Sequence, residues 1–427
     1  MTKKFQMYKN MIWAVILFTL PLPLIATVTN GISPLYQGML LYIDLGIYAY
    51  VWMLAVIFLS TRPKWIERTI GLPDMYLIHG LTATMALVLL DLHSTFLHSD
   101  GIAKLAGKVS FLMFNGLVAY ALIFLAGWLT SRVPFLKWIK NLLSPIFTHE
   151  VTIWIHRILI IATALIFVHV LAIDYISSIS NFMFLFILYT IIAFAGYAWY
   201  LIEKNANWRL GTVAQVDKID GNIVALDIAL SRENAKQIAG GDFVFISFPE
   251  HEGLGAPHPF SILNHPHAEG HIVLGIDGVG DFTQGLNTVK PGEKVRVSVG
   301  YGLLNKLVKE SDPDRQLVLI GGGIGIVPLL SLAETYPSKP ITMLYTVKQD
   351  KELLYQENFQ DLMHRPNFRL YQQKTRFSDD QLDDYLPLDD QTDYILAGPM
   401  PMIKTYQKCL KAAGVANESV FYERFEW

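Results

Sequence analysis

The sequence predicts a multi-domain membrane protein: a six-helix transmembrane bundle over residues 1–203, a small antiparallel β-barrel over 204–310, and an α/β nucleotide-binding domain over 311–427. Three observations carry this. The first part consists mostly of long apolar runs. After Arg209 the pattern changes to short alternating runs separated by turn residues. From residue 316 it changes again, to buried strand, glycine turn and helix.

A helix needs about 20 apolar residues to cross a bilayer core about 30 Å thick. Six stretches qualify: 11–29, 39–60, 73–96, 109–129, 151–173 and 181–202. Six such runs in succession exceed what a soluble core uses. The first is longer than the apolar segment of a signal peptide and has no small-residue cleavage site, so it reads as a retained span. Basic residues set the orientation. With the N-terminus inside, the cytoplasmic segments carry Lys3, Lys4, Lys9, Arg62, Lys64, Arg68, Arg132, Lys137, Lys140, Lys204 and Arg209, and the external loops only Lys104 and Lys108. The expected location is a cell membrane, multi-pass, with both termini cytoplasmic. A net charge of −3 gives no reason to expect nucleic acid as a partner. The single cysteine, Cys409, rules out a disulfide framework, a cysteine-ligated zinc site and a four-thiolate iron–sulfur cluster.

Ionisable side chains at membrane depth are costly and mark function. The third span holds His79 and His93, with His98 near its outer end; the fifth holds His156 and His169. Fourteen residues put His79 and His93 roughly 21 Å apart and nearly on one face. That suits two b-type haems stacked across the bilayer, since neutral imidazoles on both axial positions give a low-spin iron fit for electron transfer. The expected pairs are His79 with His156 toward the cytoplasm and His93 with His169 toward the outside. The thirteen-residue spacing of His156 and His169 turns an ideal helix by about 220°, so these two do not share a face. Either the fifth span is locally distorted or the two haems are rotated relative to each other. Arg157, beside the inner ligand, could pair with a haem propionate.

In the second half, GTVAQVDKI, NIVALDIAL, DFVFISF, HIVLGIDGV and EKVRVSV read as strands of the barrel. The segments QLVLIGGGIGIVPLLSLAETY, ITMLYTV and DYILAGPMPMIKTYQKCLKAAG read as parallel strands with crossover helices. GGGIG, between a strand and a helix, offers backbone N–H groups and a helix N-terminus to a pyrophosphate.

These residues together carry a family resemblance. His258-Pro259-Phe260-Ser261-Ile262 resembles the HPF(S/T) flavin motif of the NADPH oxidase and ferric reductase family. Gly280-Asp281-Phe282-Thr283 resembles its G-D-(F/W)-T segment, and Gly300-Tyr301-Gly302 the turn closing its barrel. Gly322-Gly323-Ile324-Gly325-Ile326-Val327-Pro328 and Ala397-Gly398-Pro399-Met400-Pro401-Met402 are similar to its two nicotinamide-nucleotide segments. The four span histidines match its haem ligands in order and spacing. The resemblance implies a six-helix haem bundle followed by a ferredoxin-reductase-like module that binds FAD and NADPH or NADH. It implies that Phe260 packs on the isoalloxazine, that Ser261 reaches its redox-active edge, and that His258 and the backbone around Thr283 hold the phosphates. A C-terminal aromatic covers the flavin in that family; Phe425 fits better than Trp427, which remains the alternative.

Three positions depart from the pattern: Asp277 stands where the family has Lys or Arg, Val327 where it has Thr, and Ala397 where it has Cys. Lys348 or Arg376 could pair with a 2′-phosphate and favour NADPH. The expected activity is electron transfer from cytoplasmic NAD(P)H through FAD and two haems to an external acceptor. Dioxygen giving superoxide comes first, with His98 and Asp91 as polar groups near the outer haem, and a ferric chelate second. The rival from another class, motivated by Val327 and Ala397, is a haem-binding subunit or sensor with a vestigial reductase.

Overall fold

The computed structural model describes residues 2–125, 130, 133–143, 147, 149–203, 208–220, 223–266, 270–278, 280–389 and 391–424. They form two compact units. One comprises 10–63 and 74–203; the other comprises the first nine residues, 64–73 and 204–427.

The first unit is helical: α1 (Thr2–Thr19, shared with the other unit), α2 (Leu22–Gly31), α3 (Leu40–Ser60), α5 (Leu72–Phe96), α6 (Gly101–Phe124), α7 (Pro134–Leu143), α8 (His149–Arg157), α9 (Leu159–Leu171) and α10 (Ser180–Glu203). Six stretches are long and apolar enough to cross a membrane: Met11–Gly31, Pro34–Ser60, Leu72–Phe96, Gly101–Phe124, Val151–Leu171 and Ser180–Glu203. In the second of these half of the apolar window is buried, against 17–22% in the others, which puts α3 at the centre of the bundle. The outer surface is apolar, with Leu77, Leu81, Leu112, Trp154, Phe184 and Ile191 exposed; so much contiguous apolar surface fits contact with lipid. Inside, several polar groups are paired, although Trp13 Nε1, Asp44 Oδ1 and His156 Nδ1 are buried without a partner among the described residues. The Tyr50 hydroxyl lies 2.9 Å from that of Thr190, and Ser110 donates to the Ala162 carbonyl at 2.8 Å.

Three spans differ from the sequence reading. The first is interrupted at Leu20–Pro21, where proline removes an amide donor and crowds the preceding turn. The fourth starts at Gly101, not 109, so Lys104 and Lys108 lie in the first turns of α6 and not in an external loop. Both are exposed. A lysine near a helix end reaches the interface along its apolar stem, so its charge does not terminate a span. The fifth is broken at Ile158, whose N–H donates to the Ile155 carbonyl at 3.1 Å while its own carbonyl accepts from Ile161 at 2.9 Å. These i→i−3 bonds overwind the chain locally. A local distortion, one of the two alternatives left open by the thirteen-residue histidine spacing, is therefore present in the fifth span.

The second unit contains two sheets and the short helix α4 (Lys64–Ile70), which lies in the chain between the second and third spans. The antiparallel sheet comprises β1 (Trp208–Asp220), β2 (Ile223–Ala229), β3 (Phe243–Ser247), β4 (His258–Ser261), β5 (His271–Asp277) and β6 (Lys294–Ser298), in the order β4-β3-β6-β1-β2-β5. Its edge strands meet at one bridge, Ile262 to Leu274. Period-two alternation divides β5: Ile272, Leu274 and Ile276 enter the core of this sheet, and Val273 packs on the core of the next.

The parallel sheet comprises β7 (Gln316–Gly322), β8 (Ile341–Val347), β9 (Phe368–Lys374), β10 (Thr392–Gly398) and β11 (Val420–Arg424), in the order β11-β10-β7-β8-β9. Its central strands are buried on both faces, which accounts for their continuous apolar runs. Leu317, Leu319 and Ile395 face α11 (Ile326–Thr335) and α12 (Gln356–Met363), whereas Val318, Ile320 and Leu396 face α13 (Met400–Ala412).

Candidate functional site

In an open parallel sheet, ligands bind at the carboxyl ends of the strands where the strand order reverses. Here that point lies between β7 and β10. Gly322 ends β7, and the turn Gly323–Gly325 leads directly into α11. Gly323 has φ +57°, and a Cβ on Gly325 would stand 2.4 Å from the Ala397 carbonyl oxygen, so neither place accepts a side chain freely. Pro328 sits in the first turn of α11, where amide protons have no intrahelical acceptor to lose. Ala397 and Gly398 end β10 beside this turn, and Pro399 caps α13. The turn and the two glycine-bearing strand ends therefore lie side by side at the carboxyl edge of the sheet, with Met402 against Gly322 and Gly398.

Val327 is fully buried and packs on Gly275 of β5, where an added Cβ would come within 2.5 Å of it. Tyr355, after β8, is buried in the left-handed region at φ 58°, and its hydroxyl has no partner among the described residues. Its sequence neighbourhood gave no signal of this. Lys348 is exposed just beyond β8. Arg376, beyond β9, pairs with Asp379 at 2.9 Å and approaches Cys409 Sγ at 3.4 Å.

The His258-Pro259-Phe260-Ser261 segment is a strand, β4, at the sheet edge, with all four residues half-buried. The His258 ring stacks on Phe282 at 4.1 Å, and Phe260 lies 5.9 Å from the same ring. The Gly280 N–H donates to Thr283 Oγ1 at 2.9 Å, and that hydroxyl donates back to the Gly280 carbonyl at 2.9 Å. Thr283 thus braces its own loop. Asp277 is half-buried at the end of β5, opposite Ile223. Phe425 and Trp427 lie outside the described residues.

In the helical unit the four histidines form two facing pairs. The rings of His79 and His156 are 6.0 Å apart, centre to centre, and those of His93 and His169 are 6.4 Å apart. His93 Nδ1 donates to the Tyr42 carbonyl at 2.8 Å, and His169 Nδ1 to the Ala103 carbonyl at 2.7 Å. His156 Nδ1 is buried without a partner among the described residues. Asp91 accepts from Asn115 at 3.0 Å, His98 is exposed, and Arg157 lies 5.9 Å over the Trp154 ring.

One assembly had no local signature in the sequence. Arg68 of α4 clamps buried Asp242 with both guanidinium ends, at 2.8 and 3.0 Å, and donates to the carbonyls of Gly302 and Gly300 at 2.7 and 2.8 Å. Glu67, fully buried, accepts from the Gly302 N–H at 2.9 Å. Burial, only partly offset by Arg68 and by that N–H, pushes its carboxyl up to about 7. A Cβ on Gly300 would stand 2.1 Å from Asp242 Oδ2, which gives the Gly300-Tyr301-Gly302 segment its reason.

Residues 209–319 match the family described as "FAD-binding domain", and residues 319–408 match "Oxidoreductase NAD-binding domain". The C-terminal half is an oxidoreductase module with FAD- and NAD-binding domains. It is similar to the F subunit of the Na(+)-translocating NADH-quinone reductase of Yersinia pestis (strain Pestoides F), 27% identical over 202 residues covering 39% of this chain and 48% of the relative. Its counterpart in Klebsiella pneumoniae is 27% identical over 199 residues, with the same coverage. The chain thus spans about half the length of these curated relatives. The crystal structure of the flavohemoglobin from Malassezia yamatoensis, with bound FAD and heme, is alike in fold, with a TM-score of 0.51 and 15% identity over 92% of this chain and 98% of that one.

Proposed function

We propose that the chain carries electrons from cytoplasmic NAD(P)H through FAD and two b-type haems to an acceptor outside the membrane, with dioxygen, giving superoxide, as the first acceptor. The observation that carries this is the pair of facing imidazoles, repeated, in a bundle joined to an FAD/NAD module. An imidazole nitrogen lies about 1.1 Å from its ring centre and binds a metal at about 2 Å, so two rings on one metal sit about 6 Å apart. The observed 6.0 and 6.4 Å fit that spacing. Among the described residues no three metal-binding side chains gather, so a centre here needs a group that supplies its own equatorial ligands, as haem does. Flavin and haem supply the redox chemistry when bound; this chain supplies binding, orientation and access.

In this reading the Gly322–Pro328 turn and Ala397-Gly398-Pro399 take the dinucleotide, and Phe260, Ser261, His258 and Thr283 hold the flavin. His79 with His156, and His93 with His169, are the axial pairs. The positive-inside count puts both termini in the cytoplasm. The haem content of the purified protein tests the reading, together with NADH and NADPH oxidation measured separately with cytochrome c and a ferric chelate, with and without superoxide dismutase. Two low-spin haems and dismutase-sensitive cytochrome c reduction are expected. Dismutase-insensitive reduction of the chelate makes the ferric chelate the acceptor. A haem-loaded protein that oxidises neither nucleotide returns the sensor reading, which the buried Val327 and Ala397 favour.

Of the two cations beyond the strands, Lys348 is the better partner for a 2′-phosphate, because Arg376 already has Asp379. A charge-assisted hydrogen bond contributes about 1.5–3 kcal/mol. Lys348→Ala should raise KM for NADPH by roughly tenfold or more while that for NADH stays put. Equal changes for both nucleotides would remove Lys348 from this role.

A further inference from the structure

A helix shields its carbonyls. The carbonyl of residue i takes the amide of i+4, and the Cβ of i+4 leans back toward it. At two of the bundle's helical glycines, where that Cβ is missing, a histidine ring fills the notch. Gly46 lies one turn after Tyr42 in α3, and Gly107 one turn after Ala103 in α6. A Cβ on Gly46 would stand 2.6 Å from His93 Nδ1 and 2.7 Å from its Cε1; one on Gly107 would stand 2.8 Å from His169 Nδ1 and 3.1 Å from its Cε1. In both, Nδ1 bonds the carbonyl four residues before the glycine, Tyr42 at 2.8 Å and Ala103 at 2.7 Å. A carbonyl only accepts, so the proton is on Nδ1 and the lone pair is on Nε2. The same device thus occurs on two helices and serves both members of one facing pair. The other pair lacks the notch: no glycine Cβ among the described residues would meet its rings, and Gly80 and Gly116 have nothing within 4 Å. While the Val56 backbone is within hydrogen-bonding reach of His79, His156 Nδ1 has no partner among the described residues.

We propose that Gly46 and Gly107 are positioning residues for the outer histidine pair. Each opens a notch that seats one imidazole and bares a helix carbonyl to its Nδ1–H, which turns Nε2 toward the opposite ring. The inference rests on the haem reading above and assigns the glycines within it. Fixing the tautomer and the ring plane by a backbone carbonyl also raises the basicity of the ligand nitrogen. The outer pair is therefore pre-set by two helices, whereas His156 Nδ1 has no such carbonyl among the described residues.

The test uses the haem-loaded full chain with Gly46→Ala and Gly107→Ala, and with Gly80→Ala and Gly116→Ala as controls. Alanine is the better helix former, so helix propensity cannot account for a loss. Each of the first two variants should lose one of the two haems, or convert one low-spin signal to high spin, while nucleotide still reduces the flavin. The controls should keep both haems. Gly46→Ala added to His93→Ala, and Gly107→Ala added to His169→Ala, should cause no further loss, because the clashing ring is gone. Two haems with unchanged low-spin spectra in both glycine variants would overturn the assignment. If neither glycine variant accumulates in the membrane, recovery on adding the histidine change supports it, and continued failure overturns it. A wild-type protein without haem would instead bring down the function reading itself, so the two failures are distinct.

Discussion

Arg68→Ala is expected to destabilise the reductase unit by about 3–5 kcal/mol, because it leaves a buried carboxylate without its counter-charge. Asp242 is fully buried, and of its partners only the Ala239 N–H, at 3.1 Å, would remain. The carbonyls of Gly300 and Gly302 lose a donor at the same time. At about 2–4 °C per kcal/mol for a domain of this size, the thermal midpoint followed by flavin fluorescence should fall on the order of 10 °C. Arg68→Lys should recover part of this, since an ammonium keeps the charge but not the two-pronged geometry. A midpoint unchanged in both variants would mean that the clamp contributes nothing to stability.

The same cluster sets a pH dependence. Burial first, and then Asp242, raise Glu67 from 4.5 to about 7. Burial, then Asp242 and Glu67, raise the half-buried Glu423 to about 8. Asp242 is itself raised by burial, against the pull of Arg68 and Lys64. A carboxyl whose folded pKa exceeds its unfolded one stabilises the fold fully below the unfolded pKa, and that stabilisation is lost as pH rises through the folded pKa. Stability should therefore decline between about pH 4.5 and 7, by an amount on the order of 3 kcal/mol for Glu67 alone. Glu67→Gln keeps an oxygen for the Gly302 N–H and removes the titration, so its midpoint should vary less over this range. An equally steep slope in Glu67→Gln would exclude Glu67 as its source.

How much of this was legible depends on range. The six spans were legible because the bilayer fixes both length and composition, and both sheets were legible because periods of two and continuous buried runs are local properties. Span ends were less so. Lys104 and Lys108 read as loop because charge and helix end usually coincide, whereas a snorkelling stem separates them. The break at Ile158 announced itself only through the awkward spacing of His156 and His169, since no proline or glycine marks it. The strand nature of β4 was hidden by Pro259, which an edge strand accommodates. The clamp was beyond reach: Arg68 and Asp242 are 174 positions apart, and Arg68 read only as one of many basic residues. The notches at Gly46 and Gly107 were hidden likewise, because a helical glycine in an apolar span has no sequence mark of what lies against it.

The largest effects belong to the histidines. On the proposed function, His93→Ala or His169→Ala should remove the outer centre, or leave it five-coordinate and high-spin, while NAD(P)H still reduces the flavin. His79→Ala or His156→Ala should instead stop delivery beyond the flavin, since no acceptor outside can be reached without the inner pair. In both classes reduction of external cytochrome c or ferric chelate should drop to background. The two classes separate in a single anaerobic experiment. After nucleotide is added, one reduced low-spin haem should form in the outer variants and none in the inner ones. The inner pair should also be unequal. The Val56 backbone is within hydrogen-bonding reach of His79, whereas His156 Nδ1 has no partner among the described residues. An imidazole held by a backbone carbonyl keeps its orientation without the metal, so added free imidazole should restore a low-spin spectrum more readily in His156→Gly, where His79 keeps its Val56 contact, than in His79→Gly. Two intact low-spin haems in any single alanine variant would remove that histidine from the ligand set, and survival of both haems in all four would end the haem reading.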